Sequence, residues 1–119
     1  MGYDLRTQRG YDFYLVSSSL QKAIRRGDVR CAGYFALELF PKYSEYCWKR
    51  LLTVSAEDCY GPITKEIMAL YEGFKIVNKG KRGDQLGGRI FISKAVILLC
   101  TQPHSRDCLL YTSDAADDL

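Results

Sequence analysis

Tyr11-Asp-Phe-Tyr-Leu-Val-Ser-Ser-Ser-Leu-Gln-Lys-Ala-Ile-Arg-Arg-Gly-Asp28 decides the fold class. Phe13, Val16, Leu20, Ala23 and Ile24 recur at helical spacing, which builds one apolar face for burial. Asp12 is placed to cap the start, because its short carboxylate reaches the free N–H groups of a first turn. Gly27 is placed just past the end, where a left-handed residue closes a helix. Lys22, Arg25 and Arg26 crowd the last turn, where cations meet the negative end of the helix dipole. The stretch therefore predicts a helix over 11–26.

The same signals repeat outward. Asp28 is placed to cap a second helix reaching about Phe40, with Ala32, Phe35, Ala36 and Leu39 as its stripe. Pro41 ends it, since proline donates no backbone N–H and restricts the residue before it. Ser44 is placed to cap a third helix through Cys59. Tyr46, Cys47, Leu51, Val54 and Ser55 supply its spacing, and Trp48 and Leu52 widen the face. Tyr60-Gly61-Pro62 breaks the pattern, and Pro62 suits the first turn of a fourth helix to Val77. Asn78 to Gly88 reads as a mobile Gly/Lys loop. The run Arg89 to Cys100 has β propensity in Ile90-Phe-Ile and Val96-Ile-Leu-Leu. Its length, Lys94, Ala95 and the helical context favour a buried helix instead. Thr101 to Asp107 reads as a turn. Five helices with short connections predict an all-α bundle with antiparallel neighbours.

The chain has 119 residues, 47% hydrophobic and 26% charged, with net charge +3. These values fit one soluble globular domain and argue against disorder or a coiled coil. The longest apolar run, Ala95 to Cys100, has six residues, while a spanning helix needs ~20. No membrane partner is expected. The first residues lack the apolar stretch of a secretory signal, and Arg6 stands where a myristoylation motif needs Ser or Thr. Cys31, Cys47, Cys59, Cys100 and Cys108 show no C-x-x-C pair, so reduced thiols and a cytoplasmic setting are expected.

Cys108-Leu-Leu-Tyr-Thr-Ser-Asp-Ala-Ala-Asp-Asp118 breaks with what precedes it, lacking Lys and Arg altogether. It resembles the conceptual translation of a transposase-type sequencing adaptor. Residues 108–119 are therefore expected to be assembly read-through rather than native; the plain alternative is an acidic tail. Removing its three aspartates takes the formal charge from +3 to +6. Residues 1–10 read as an N-terminal arm on a domain spanning 11–107. Met1 stands so near the first helix that a separate short gene is expected.

The chemistry legible in the chain is mostly that of surfaces. The loop at Gly80 to Gly88 is basic but lacks the Lys-Ser/Thr of a phosphate-binding loop, so no nucleotide cofactor is expected. Ser17-Ser18-Ser19 has no nucleophile-elbow glycines. Cys100 and His104, four apart, would share a face if helical, but two ligands do not make a metal site. His104 reads as a surface residue. Glu57-Asp58 lies at a helix end that disfavours anions and asks for a cation: Lys49, Arg50 or one on another helix. No catalytic residue, cofactor or metal is expected. Lys22, Arg25, Arg26 and Arg30 cluster around the first helix junction. From Lys75 to Lys94, six cations (with Lys79, Lys81, Arg82 and Arg89) face one carboxylate, Asp84. Such clusters are candidate contacts to DNA phosphates or to a partner protein.

Two segments resemble one family. Tyr11 to Asp28, continued by Cys31 to Leu39, is similar to the "YD-ISA-HKSIRGSD-DAALYWLARML" segment of the MgsA/RarA replication-associated recombination proteins, AAA+ ATPases of the clamp-loader clade. Tyr11, Asp12, Ser17, Lys22, Ile24, Arg25, Asp28, Ala32 and Tyr34 fall on matching positions. Lys49 to Cys59 is similar to "RRLVRFASEDIG", with Arg50, Leu51, Glu57 and Asp58 matching. Ala95 to Leu99 resembles the "AQAVIYLA" helix, and Ser105 answers the serine of the following "APKS". The departures are Tyr60-Gly61-Pro62 for a longer turn, Trp48, and the rewritten basic loop. The resemblance implies the C-terminal helical domain of that family, which oligomerises beside an ATPase module. That module's Walker motifs and arginine finger are absent here. It further implies a domain truncated at its C-terminus, a non-enzymatic module for replication, recombination or repair, and partners that are copies of itself or an AAA+ ATPase. A small basic DNA-binding protein is the alternative.

Overall fold

The computed structural model describes residues 5–59 and 61–104, and in them the apolar periodicity closes as five α-helices. They are α1 (Phe13–Arg25), α2 (Val29–Leu39), α3 (Ser44–Asp58), α4 (Ile63–Val77) and α5 (Arg89–Thr101). Among the described residues there is no strand, only two isolated backbone bridges, Arg6 with Asp12 and Cys59 with His104. The fold is all-α. The turn read at 101–107, Ser105 and the segment 108–119 lie partly or wholly outside the described residues.

The α1–α2 corner follows its punctuation closely. Asp12 Oδ2 accepts from Leu15 N at 3.0 Å, and Asp28 Oδ1 accepts from Cys31 N at 3.1 Å. Gly27 adopts φ +70°; its N–H reaches Ile24 O, and Asp28 N–H reaches Ala23 O, both at 2.9 Å. A side chain there would be strained twice, by φ and by the Cys100 carbonyl 3.2 Å from an added Cβ.

The third helix begins differently from the expectation. Ser44 is not the cap; it is a buried residue of the first turn, and Tyr43 holds the cap position without a side-chain bond. Packing made the choice. Tyr43 N–H bonds Leu39 O at 2.7 Å, its ring meets Phe13 at 4.6 Å, and its hydroxyl donates to Arg6 O at 3.0 Å. With Tyr43 held from three sides, the chain has already turned by Ser44.

α5 resolves the β-or-helix ambiguity. Ile92, Ala95, Val96, Leu99 and Cys100 are its buried residues, at i, i+3, i+4, i+7 and i+8. It touches all four other helices. Only that face is covered, however: Ile90 is 73% and Ile97 49% exposed, so α5 is not buried all round. At the centre, fully buried Trp48 meets Tyr71 (5.4 Å) and Phe74 (5.5 Å), both at tilted ring angles. α4 and α5 approach closely through Gly73, where an added Cβ would lie 2.6 Å from the Phe91 ring.

Two segments read as loose are bonded in place. Asn78 is buried; its side-chain N–H groups donate to Phe74 O and Gly87 O, both at 3.0 Å, and its Oδ1 accepts from Gly87 N at 2.7 Å. The basic loop is thus clasped at its two ends around a short 3-10 turn, Gly83–Gln85. Residues 5–10 fold back on α2, where buried Glu38 accepts from Thr7 Oγ1 (2.8 Å) and Arg9 N (3.1 Å).

Candidate functional site

Tyr11, Asp12, Asp28, Tyr34, Arg50, Glu57 and Asp58, singled out in the sequence, fall into a tyrosine pair, two helix caps and one polar seam. Tyr11 and Tyr34 meet edge to face, with hydroxyls 2.9 Å apart. Asp12 and Asp28 serve as the helix caps described above. The Asp28 carboxyl is held below its ordinary value, chiefly by the Cys31 backbone N–H and by Arg26 and Arg30 nearby. The Cys31 thiol is raised in turn, chiefly by its side-chain hydrogen bond to the Asp28 carboxylate.

Arg50, Glu57 and Asp58 belong to a polar seam between α1 and α3. Ser17 and Tyr46 share a 2.6 Å hydroxyl contact, and Arg50 Nη2 donates to Tyr46 at 3.2 Å. Gln21 donates to Glu57 at 3.2 Å and accepts a long 3.5 Å contact from Arg50. Arg25 Nε donates to Asp58 Oδ2 at 3.2 Å. The pairs advance together along both helices, so α1 and α3 run parallel, as alternate helices do when each is antiparallel to the one between them. The sequence anticipated a cation for Asp58 and offered three sources; packing selects the one on another helix.

That choice changes the first basic cluster. Arg25, a candidate phosphate contact, is engaged with a 1% exposed carboxylate. Lys22, Arg26 and Arg30 remain exposed and form no ion pair among the described residues. Lys22 and Arg26 flank a depression of ≈ 380 Å³ with Ser19, Ala23, Cys31 and Phe35.

The second cluster is divided too. Lys75 pairs with Glu72 at 2.9 Å and lies over the Tyr71 ring. Lys79, Lys81 and Arg82 are exposed on the clasped loop. Arg89 lies over the Phe40 ring, 5.5 Å from its centroid. The clusters themselves stay apart, because Gly27 abuts Cys100 at one end of α5 while Gly88 caps the other. The eleven residue-to-residue steps from Arg89 to Cys100 span about 17 Å of helix.

His104 is half-buried rather than a free surface residue. Its Nε2 lies 2.7 Å from Leu99 O, and its backbone bridges Cys59. α5 ends at Thr101, so Cys100 and His104 do not share a helix face. Among the described residues no three His, Cys, Asp or Glu side chains converge as a metal would need. Burial pushes the Cys47 thiol up to about 12 and those of Cys59 and Cys100 to about 11, away from thiolate character at neutral pH.

The sequence reading missed Glu38. A carboxylate on the apolar side of α2 was the available signal, since a buried acid requires donors. It also missed a groove between residues 8–9, the C-terminal end of α2 and the loop before α5. Gln8 lines all three of its adjoining depressions.

Fold and surface define an all-α helical bundle carrying separate basic clusters and uncovered apolar residues on α4 and α5. No helix among the described residues is long and apolar enough to cross a membrane. No protein-family model and no curated protein matches this chain.

Proposed function

We propose that this chain is a non-enzymatic oligomerisation or adaptor module of DNA replication, recombination or repair, similar to the C-terminal helical domain of the MgsA/RarA proteins. The supporting observation is the outer face of α5. Ile90 and Ile97 stand seven residues apart, 73% and 49% exposed, opposite the buried stripe. Ile76 (73%) and Met68 (47%) are uncovered on α4. The two isoleucines of α5 lie two turns apart on one face of the helix, and apolar side chains left uncovered on one face suit a protein partner. The proposed partners are a second copy of the chain or an AAA+ ATPase in the cytoplasm, which supplies any ATP turnover. Sedimentation velocity tests the reading: the wild type self-associates, and the double variant Ile90→Asp, Ile97→Asp sediments as a monomer with unchanged helical content. A wild-type monomer at high concentration that also captures no replication protein would refute it.

Direct binding of DNA is the second reading. Lys22, Arg26, Arg30, Lys79, Lys81 and Arg82 are exposed and form no ion pair among the described residues. Binding by phosphate contacts would weaken with salt, with a log–log slope near ~0.9 per contact. A flat salt dependence removes this reading.

A further inference from the structure

The groove beside Gln8 combines features that neither the apolar faces nor the basic clusters use. One end, ≈ 350 Å³, is lined by Gln8, Arg9, Tyr34, Leu37, Glu38 and Arg89. The middle, ≈ 230 Å³, is lined by Gln8, Phe40, Pro41, Asp84, Leu86 and Arg89. The far end, ≈ 340 Å³, is lined by Gln8, Pro41, Lys42, Gly83 and Asp84. Shared lining residues make the three continuous.

Charge along the groove is mixed and ordered. Arg9 is matched by Glu38, with Nε 3.4 Å from Oε2. Arg89 has no hydrogen bond or ion pair among the described residues; its guanidinium rests on the Phe40 ring, which holds the planar fork without consuming its donors. Arg89 is also the first residue of α5, whose cap, Gly88, offers no side-chain acceptor, so the positive end of that helix dipole lies at the same point. Beside this cation, Phe40, Pro41 and Leu86 supply apolar surface, and Asp84 supplies a carboxylate beyond it.

We propose that the groove binds an extended peptide of a partner protein whose acidic residue meets Arg89, whose next residue is apolar and packs on Phe40, Pro41 and Leu86, and whose following basic residue meets Asp84. The complementarity is specific in sign and order. A carboxylate matches the Arg89 fork in two parallel bonds. A nucleic-acid strand fits worse, because Asp84 lines both the middle and the far end, and at the far end it would face phosphates beside a single cation among the described residues, Lys42. The inference rests on the reading of the chain as a protein-binding module, and it concerns a surface separate from the outer face of α5.

The test is a ¹⁵N-HSQC titration of the full chain with the amidated peptide Gly-Ser-Asp-Leu-Lys-Gly-Ser, up to about 2 mM. The expected result is saturable shifts of the Gln8 side-chain amide and of the Arg9, Gly83, Asp84 and Arg89 backbone amides. Replacing the peptide's Asp with Asn, or Arg89→Gln in the protein, weakens binding by about tenfold or more. Dispersed spectra of the variant confirm that it folds. Three outcomes overturn the proposal: no shifts at the highest concentration, equal affinity for the Asp and Asn peptides, or tighter binding of oligothymidylate of about 12 nucleotides at the same residues. Sedimentation of Arg89→Gln separates this idea from self-association. In Arg89→Gln, weakened peptide binding with intact self-association supports the groove as a separate site; a wild type that self-associates but binds no peptide refutes the groove alone, and a wild-type monomer that still binds peptide refutes the oligomer alone.

Discussion

Glu38 offers the sharpest test of how the N-terminal segment is held. It is 5% exposed, and one oxygen does most of the bonding: Oε1 accepts from Thr7 Oγ1 at 2.8 Å and from Arg9 N at 3.1 Å. The other oxygen faces Arg9 Nε at 3.4 Å, but that arginine side chain is 69% exposed. The ion pair is therefore a rim interaction worth at most ~1 kcal/mol. The two bonds to Oε1 matter more, since losing them strands a buried hydroxyl and a backbone N–H, at about 1–3 kcal/mol per stranded group. Partial rehydration of this surface strap lowers the sum. Glu38→Ala should destabilise the chain by about 2–3 kcal/mol, a fall in Tm of roughly 10–20 °C for a domain this size. Glu38→Gln keeps a carbonyl acceptor at Oε1 and loses only the rim charge, so its cost should stay near ~1 kcal/mol or less. Thermal unfolding followed by circular dichroism measures both. Hydrogen exchange adds the location: the Arg9 and Tyr11 amides should lose protection before those of α2 in the alanine variant. The reasoning fails if the two variants lie within ~0.5 kcal/mol of each other, because charge rather than acceptor geometry would then hold the strap.

Two further outcomes are expected. Gly73→Ala would gain about 1 kcal/mol of helix propensity but place its Cβ 2.6 Å from Phe91, and overpacking of this kind costs ~1–3 kcal/mol, so the net is destabilising; chemical denaturation checks it, and Phe91→Leu in the same background should recover part of the loss. Stability should fall as pH rises above 9.0, the ordinary thiol value, because Cys47 ionises only near about 12 in the fold and Cys59 and Cys100 near about 11. The unfolded chain releases those protons first, so this contribution is whole below pH 9.0 and is lost on the way to about 12. Tyr71, raised from 10.0 to about 12 by burial and then by its bond to Glu45, adds to the same trend. A denaturation midpoint that stays constant from about pH 7 to about pH 11 would contradict it.

Much of the bundle was legible because its instructions are local. Asp12, Gly27, Asp28 and Pro41 act within a turn of themselves, so their roles follow from position. Ser44 misled because the start of α3 is set by Tyr43, whose ring and hydroxyl reach Phe13 and Arg6 from far along the chain. Composition suggested that the Gly/Lys loop was loose, yet one buried asparagine closes it onto Gly87. Trp48 looked like a widening of one helix face and became the centre of the core, because Tyr71 and Phe74 both reach it from α4.

The candidate surface was harder to read, and α5 shows why. Summed along the sequence, the cations from Lys22 to Arg30 and from Lys75 to Lys94 look like one basic protein. In space a single helix of thirteen residues separates them. Several of their members are diverted on the way: Arg25 to buried Asp58, Lys75 to Glu72 and Tyr71, Arg89 to the face of Phe40. Each diversion depends on a contact between segments, which no count of charges along the chain contains. What is left at each end of α5 is a different kind of surface. Near Gly27, Lys22 and Arg26 flank an open depression with no carboxylate among the described residues of its lining, which suits an anion of any shape. Near Gly88, an apolar pit lies between Arg89 and the carboxylate of Asp84, which suits a ligand with its own order of charge and bulk. The two ends should therefore respond differently to salt. Binding at the Gly27 end would follow total phosphate contact and weaken steeply as salt rises. Binding at the Gly88 end would keep its apolar component and weaken less.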